Sequence, residues 1–330
     1  MGRKRRNLHF ADTTSFVHAG ARAVRSGAYA ASKTYKASKT LPGRVREASF
    51  PFISGDTFRA SADVILDKGA SGTFRTPAIE QARAPIVFAE IGQIELNAAN
   101  GVFLDWLREL TAKFPQLKLV VHNGDIPPSD ELFAQIHETV GEIYCVNAQD
   151  GIPGVTPLPL GLENMTLKRY GYIDDYLLLF DGRRDPLSNL ANQHKESMFH
   201  CSFALRTNRP ARTLAAQIAR ATRGIENRSL TPARNRQALM SSKFVICPPG
   251  NGPDTHRVWE SIYLGAVPVI LRGTIAHSVV KNLPVWEVDD WHEALESSDD
   301  HLNSTFVSLT RKGTKEAMFC HWWQKILGSH

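Results

Sequence analysis

Cysteine is scarce in this chain: Cys145, Cys201, Cys247 and Cys320 are four residues in 330, far apart and without CxxC spacing. That scarcity disfavours a disulfide framework and a cysteine-held zinc site, and it suits a reducing compartment. Long apolar runs are also missing, so no segment offers the roughly 20 apolar residues that span a bilayer. The basic residues of Met1–Arg6 are not followed by the uninterrupted apolar region of a secretory leader. GxGxxG is absent, since Gly250-x-Gly252 lacks the third glycine, and so is GxxxxGK[ST]. A dinucleotide dehydrogenase and a P-loop kinase are thereby disfavoured. There is no Asp-x-Asp, and the acid pairs Asp174-Asp175, Asp289-Asp290 and Asp299-Asp300 read as turn or surface groups. No metal site and no cofactor are expected.

Charge is present but uneven. The net charge is +6, yet residues 1–50 hold eleven Lys/Arg against Asp12 and Glu47, a net +9 that leaves the other 280 residues at −3. The basicity belongs to an extension over 1–48. Two readings of it stay open: it lies on an anionic membrane surface, where each Lys or Arg contributes about 1 kcal/mol, or it is a solubilising tail with no fixed partner. No basic surface interleaved with aromatics follows, so nucleic acid is not an expected partner.

Apolar periodicity then alternates between strand and helix. Ile86–Ala89, Leu117–Val121 and Ile143–Val146 read as strands, and Phe103–Phe114 and Leu132–Val140 as helices; a short strand fits within Gly151–Gly161. A second alternation starts with strands at Tyr176–Phe180 and Phe199–Leu205. It continues through a helix near Thr213–Ala221, a helix capped by Thr231-Pro232 and a last helix over Lys315–Leu327. This pattern predicts an α/β protein with two Rossmann-like lobes facing a cleft, 49–165 and 166–330, built from parallel βαβ units.

The segment Lys243–Leu271 is the most specific. A buried strand leads into the Pro/Gly loop Pro248–Asp254, then a short helix capped by Asp254 or Thr255 and stopped at Gly265, then the strand Val267–Leu271. Arg257 and Glu260 are three residues apart and share one helix face. They suit a ligand with phosphates and vicinal hydroxyls, although a plain surface ion pair has the same spacing. Cys247, Pro248, Gly250, Asp254, Arg257, Trp259, Glu260, Gly265, Pro268 and Val269 resemble the donor-lobe segment of exostosin-like glycosyltransferases, with Pro249 where those carry Arg. Looser echoes lie at Ser49–Phe58, Val121–Asp125 and Pro159–Asn164.

The resemblance implies the two-lobed GT-B architecture and transfer of a sugar from a nucleotide-sugar donor to a glycan or lipid-linked acceptor, in the cytoplasm or at its membrane face. It implies a donor site of Arg206, Arg209, Arg212, Gly250, Asn251, Asp254, Arg257 and Glu260. Many retaining members carry a glutamate eight residues before the ribose-binding one; Gly252 stands there, which favours inversion. An inverting site needs a base, and Asp125 at the end of a strand is the first candidate, then His122, then Glu90. Asn123-Gly124 is equally a tight-turn dipeptide. The alternative function is a non-catalytic nucleotide- or glycan-binding protein of the same shape.

Overall fold

The computed structural model describes residue 46 and residues 48–67, 84–98, 101–164, 173–177 and 195–328. Apart from Arg46 and Ala48, the basic extension lies outside the described residues.

Two parallel sheets organise the chain. The first takes β1 (Val64–Leu66), β2 (Ile86–Glu90), β3 (Lys118–His122), β4 (Glu142–Val146) and β5 (Val155–Leu158) in sequential order. Its helices are α1 (Gly55–Ser61), α2 (Ile91–Ala98), α3 (Val102–Lys113) and α4 (Asp130–His137). The short α5 (Ile173–Leu177) precedes the second sheet, which orders β6 (Ser197–His200), β7 (Ser242–Ile246), β8 (Val267–Leu271) and β9 (Trp286–Val288), again sequentially. Around it lie α6 (Arg209–Arg223), α7 (Pro232–Ser241), α8 (His256–Tyr263), α9 (His277–Val280), α10 (Trp291–Leu295), α11 (Asp299–Thr310) and α12 (Phe319–Leu327). The molecule is thus α/β with two parallel sheets, compatible with two Rossmann-like lobes. Among the described strands neither sheet reverses its order, so the crevice of interest lies between the sheets and not at a switch point inside one.

Strand alternation divides the core. In β2, Val87 and Ala89 join α3 and α4 on one face, while Ile86 and Phe88 face a cluster shared with the second lobe. All five β2 residues are buried, as expected of a parallel strand covered on both faces. The second sheet packs Phe199, Phe244, Val269 and Trp286 against α6, α10 and α11. The shared cluster runs from Phe52 and Phe58 through Trp259 and Tyr263 to Phe319 and Trp322. In that cluster α12 reaches the first lobe: the Phe319 N–H donates to the Pro51 carbonyl at 3.1 Å, and its ring meets Phe50 and Phe58 with centroids 5.2 and 5.1 Å away.

Local chemistry accounts for the ends of α4 and α6. Ser129 caps α4 by accepting from the Leu132 N–H, with Asp130 and Glu131 in the favourable first turn. Asn208 accepts from the Ala211 N–H ahead of Pro210 in α6, and Gly224 ends that helix at φ 65°. Several expectations are corrected. Of the predicted strand Tyr176–Phe180, residues 176 and 177 belong instead to the helical turn α5, whose Tyr176 is buried against Phe52, and residues 178–180 lie outside the description. The strand at Phe199 stops at His200, after which Leu205–Thr207 is a 3-10 turn. Asp299-Asp300 are surface groups, as expected, but stand in the first turn of α11, capped by Ser298. Arg46 packs on the first lobe instead of belonging to a separate tail.

Candidate functional site

At the carboxyl end of the second sheet, the first turn of α8 faces the ends of β6 and β7. Thr255 occupies the N-cap position, but its hydroxyl makes no capping bond and is buried with no hydrogen-bond partner. Asp254 does not cap the helix. Arg257 is 15% exposed and lies 3.5 Å from the Glu260 carboxylate, which is 3% exposed. The contact is an ion pair without hydrogen-bond geometry: Arg257 Nε and Nη1 are buried and make no hydrogen bond. The guanidinium charge is felt by His200, Cys201 and Cys247 at the strand ends. Burial still holds both thiols up at about 12, so neither is a ready nucleophile. Tyr176 of α5 sits beside Glu260 and Arg257, and Asp175 pairs with Arg236 of α7 at 3.1 Å.

The loop before α8 is braced from α6. Arg212 Nε donates to the Pro249 carbonyl at 2.9 Å and its Nη1 to the Ala204 carbonyl at 2.9 Å, while Asn208 Nδ2 donates to the Gly250 carbonyl at 3.2 Å. A Cβ at Gly250 would sit 2.8 Å from Arg212 Nη2. Arg212 is therefore a loop brace, a correction to its expected place among the free phosphate ligands. Arg206 and Arg209 are exposed beside the α6 N-terminus and, among the described residues, make no ion pair.

Across the seam, Asp254 is also reassigned by its surroundings. It is buried, accepts from Trp259 Nε1 at 3.0 Å on both oxygens and from the Leu160 N–H at 2.9 Å, and its own N–H donates to Asn147 Oδ1. Burial pushes its carboxyl up to about 7, against the pull of those N–H donors. Asp254 latches the lobes, with both oxygens engaged inside the protein. Asn251 Nδ2 reaches Asp125 Oδ2 at 3.2 Å, so Asp125 stands exposed on the first-lobe side of the same seam.

The other two base candidates are occupied. His122 is buried, its Nδ1 accepts from the Asn123 N–H at 2.9 Å, and its Nε2–H donates to the Pro159 carbonyl at 3.1 Å. Burial lowers its pKa to about 4, and neither nitrogen is free to take a proton from a ligand. Asn123 adopts the left-handed conformation at φ 57°, as the turn reading of Asn123-Gly124 anticipated. Glu90 is bound by Arg46 Nη1 at 2.6 Å, in a network where Arg46 also holds Asp56 at 2.7 Å and Arg59 holds Asp67 at 2.7 Å. Arg46, Asp56 and Asp67 were not singled out as site residues by sequence reasoning, because their contacts are 8 to 44 residues apart with no motif spacing.

His256 was missed as well. Its Nδ1 lies 2.8 Å from the Gly161 carbonyl across the seam. Only a helix-period reading of the residues next to Arg257 could have drawn attention to it. Among the described residues no group of three His, Cys, Asp or Glu side chains is arranged to hold a metal, and no helix is long and apolar enough to cross a membrane. No protein-family model and no curated protein sequence matches this chain.

Proposed function

We propose that this chain is an exostosin-like glycosyltransferase of GT-B architecture, inverting and metal-independent, which moves a sugar from a nucleotide-sugar donor to a glycan or lipid-linked acceptor. On this reading the enzyme works in the cytoplasm, and the basic residues 1–48 suit an anionic membrane face where a lipid-linked acceptor is met. One observation carries the reading: a guanidinium enclosed at a sheet's carboxyl end whose Nε and Nη1 make no hydrogen bond, with a carboxylate one helical turn away at 3.5 Å. Buried polar groups in native proteins are almost always hydrogen-bonded, and two enclosed guanidinium nitrogens held only by a long ion pair are an exception that calls for a partner. A diphosphate satisfies it, and Glu260 then accepts from ribose hydroxyls. The unpaired Thr255 hydroxyl lies on the same turn. Arg206 and Arg209, with the N-terminal dipole of α6, stabilise charge on the leaving diphosphate.

The test is a thermal-shift panel of UDP-, GDP-, CMP- and ADP-sugars on the wild type and on the double variant Arg257→Met/Glu260→Gln. At a hundredfold excess over Kd the matching donor stabilises the wild type by about 2.7 kcal/mol. The double variant should lose that response while being at least as stable without ligand, because replacing a poorly bonded buried ion pair by neutral groups is often neutral or stabilising. A destabilised double variant together with a silent wild-type panel would show the pair to be structural.

A further inference from the structure

Transfer with inversion needs a lone pair to take the acceptor's proton, and the three first-lobe candidates are exposed and tied to Asn251, buried between two backbone groups, or covered by Arg46. His256 offers its lone pair from the helix that also carries Arg257 and Glu260. A carbonyl oxygen can only accept, so the 2.8 Å contact to Gly161 fixes the proton on Nδ1 and leaves the Nε2 lone pair outward. Among the described residues Nε2 makes no hydrogen bond, and His256 is largely enclosed in the seam. The Gly161 carbonyl is itself held firmly: Gly161 has φ 74°, and a Cβ there would come 2.1 Å from the Ile53 carbonyl oxygen. The ring lies one residue before Arg257, within electrostatic reach of Glu260 on its own helix and of Asp125 and His122 on the first lobe.

We infer that His256 is the general base of this site. The assignment rests on the transferase reading above. The acceptor hydroxyl oxygen forms its bond to the anomeric carbon as its proton passes to His256 Nε2, and the carbon–oxygen bond to the phosphate breaks with its electron pair staying on the leaving phosphate oxygen. The products are the glycoside, the released nucleotide and an imidazolium, which returns its proton to solvent. Burial keeps the imidazole neutral to lower pH than usual, while the Gly161 carbonyl, Glu260 and Asp125 oppose that shift.

The discriminating variant is His256→Asn, because an asparagine amide nitrogen takes the place of Nδ1 and keeps the donation to Gly161 while deleting the lone pair. Water serves as the acceptor, and release of nucleotide from the UDP-, GDP-, CMP- and ADP-sugar panel is the readout. Turnover of the best donor should fall about a hundredfold or more, with the ligand-free melting temperature unchanged and the donor-induced thermal shift retained. The wild-type rate should show an acidic limb that the variant lacks, and Asp125→Asn should cost less than about tenfold. An undiminished rate in His256→Asn overturns the assignment alone, as does loss of the donor-induced shift, which would make the ring a phosphate ligand. A wild type that neither binds nor turns over any donor in the panel overturns the transferase reading and this assignment with it.

Discussion

Asp254 illustrates how one residue type supports two readings. In sequence it stands at the head of a helix in a donor-like segment, which suggests a cap or a ligand contact. In the structure its two oxygens are consumed by Trp259 and Leu160, one of them from the opposite lobe. Asp254→Asn would turn an amide N–H2 toward N–H donors, leaving at least one buried donor unpaired at a cost of about 1–3 kcal/mol. Denaturant unfolding should show that loss without a change in the donor-induced shift. The pH dependence has a definite sign. The folded carboxyl titrates near 7, above the unfolded value near 3.8, so the fold binds the proton more tightly. Its contribution to stability is therefore complete below about pH 4 and is lost as pH rises to about 7. The stability advantage of the wild type over Asp254→Asn should shrink between pH 4.5 and 7.5; a gap that widens would mean that the N–H donors outweigh burial.

Elements were legible in proportion to their apolar periodicity. The strands β2, β3, β4 and β8 and the helix α3 carry near-continuous apolar runs or a clear apolar helix face, and each lies within a residue or two of where the pattern puts it. The short α1 was not legible, because Gly55 and Asp56 at its start read as a turn and only the Ser54 cap marks it. α11 begins at an acid pair that also suits a loop, and β6 ends early because the backbone turns away after His200. For α12 the spacing of Phe319, Trp322 and Ile326 predicts an apolar face but not what covers it. Its first-lobe contacts make a quantitative expectation possible: Phe319→Ala should cost about 3–5 kcal/mol, the usual penalty for removing a buried aromatic. Hydrogen exchange should accelerate at residues 50–58 as well as in α12. A loss confined to α12 would mean that the helix docks without supporting the first lobe.

At the scale of the whole molecule, the site depends on how closely the two lobes approach, and Gly252 limits that approach. The segment resembles a pattern in which many retaining enzymes place a glutamate at this position, and sequence alone offers no physical reason for glycine here. The structure supplies one. A Cβ at Gly252 would come 2.4 Å from the Asp125 carbonyl oxygen and 3.0 Å from Asn147 Nδ2, the amide that donates to that same carbonyl at 2.9 Å. Backbone and a pinned amide cannot yield as a flexible side chain can, so any larger residue must move the loop or part the lobes. Gly252→Ala should cost about 1–3 kcal/mol, as overpacking in a tight contact does. Parting the lobes would lengthen both the Asn251–Asp125 contact and the His256–Gly161 contact, which lie on either side of it along the loop and helix. Turnover should therefore fall more than donor binding, since Arg257 and Glu260 belong to the second lobe alone while His256 is oriented from the first. A variant that keeps full stability and full turnover would show that the close approach at Gly252 is incidental to the geometry of the seam.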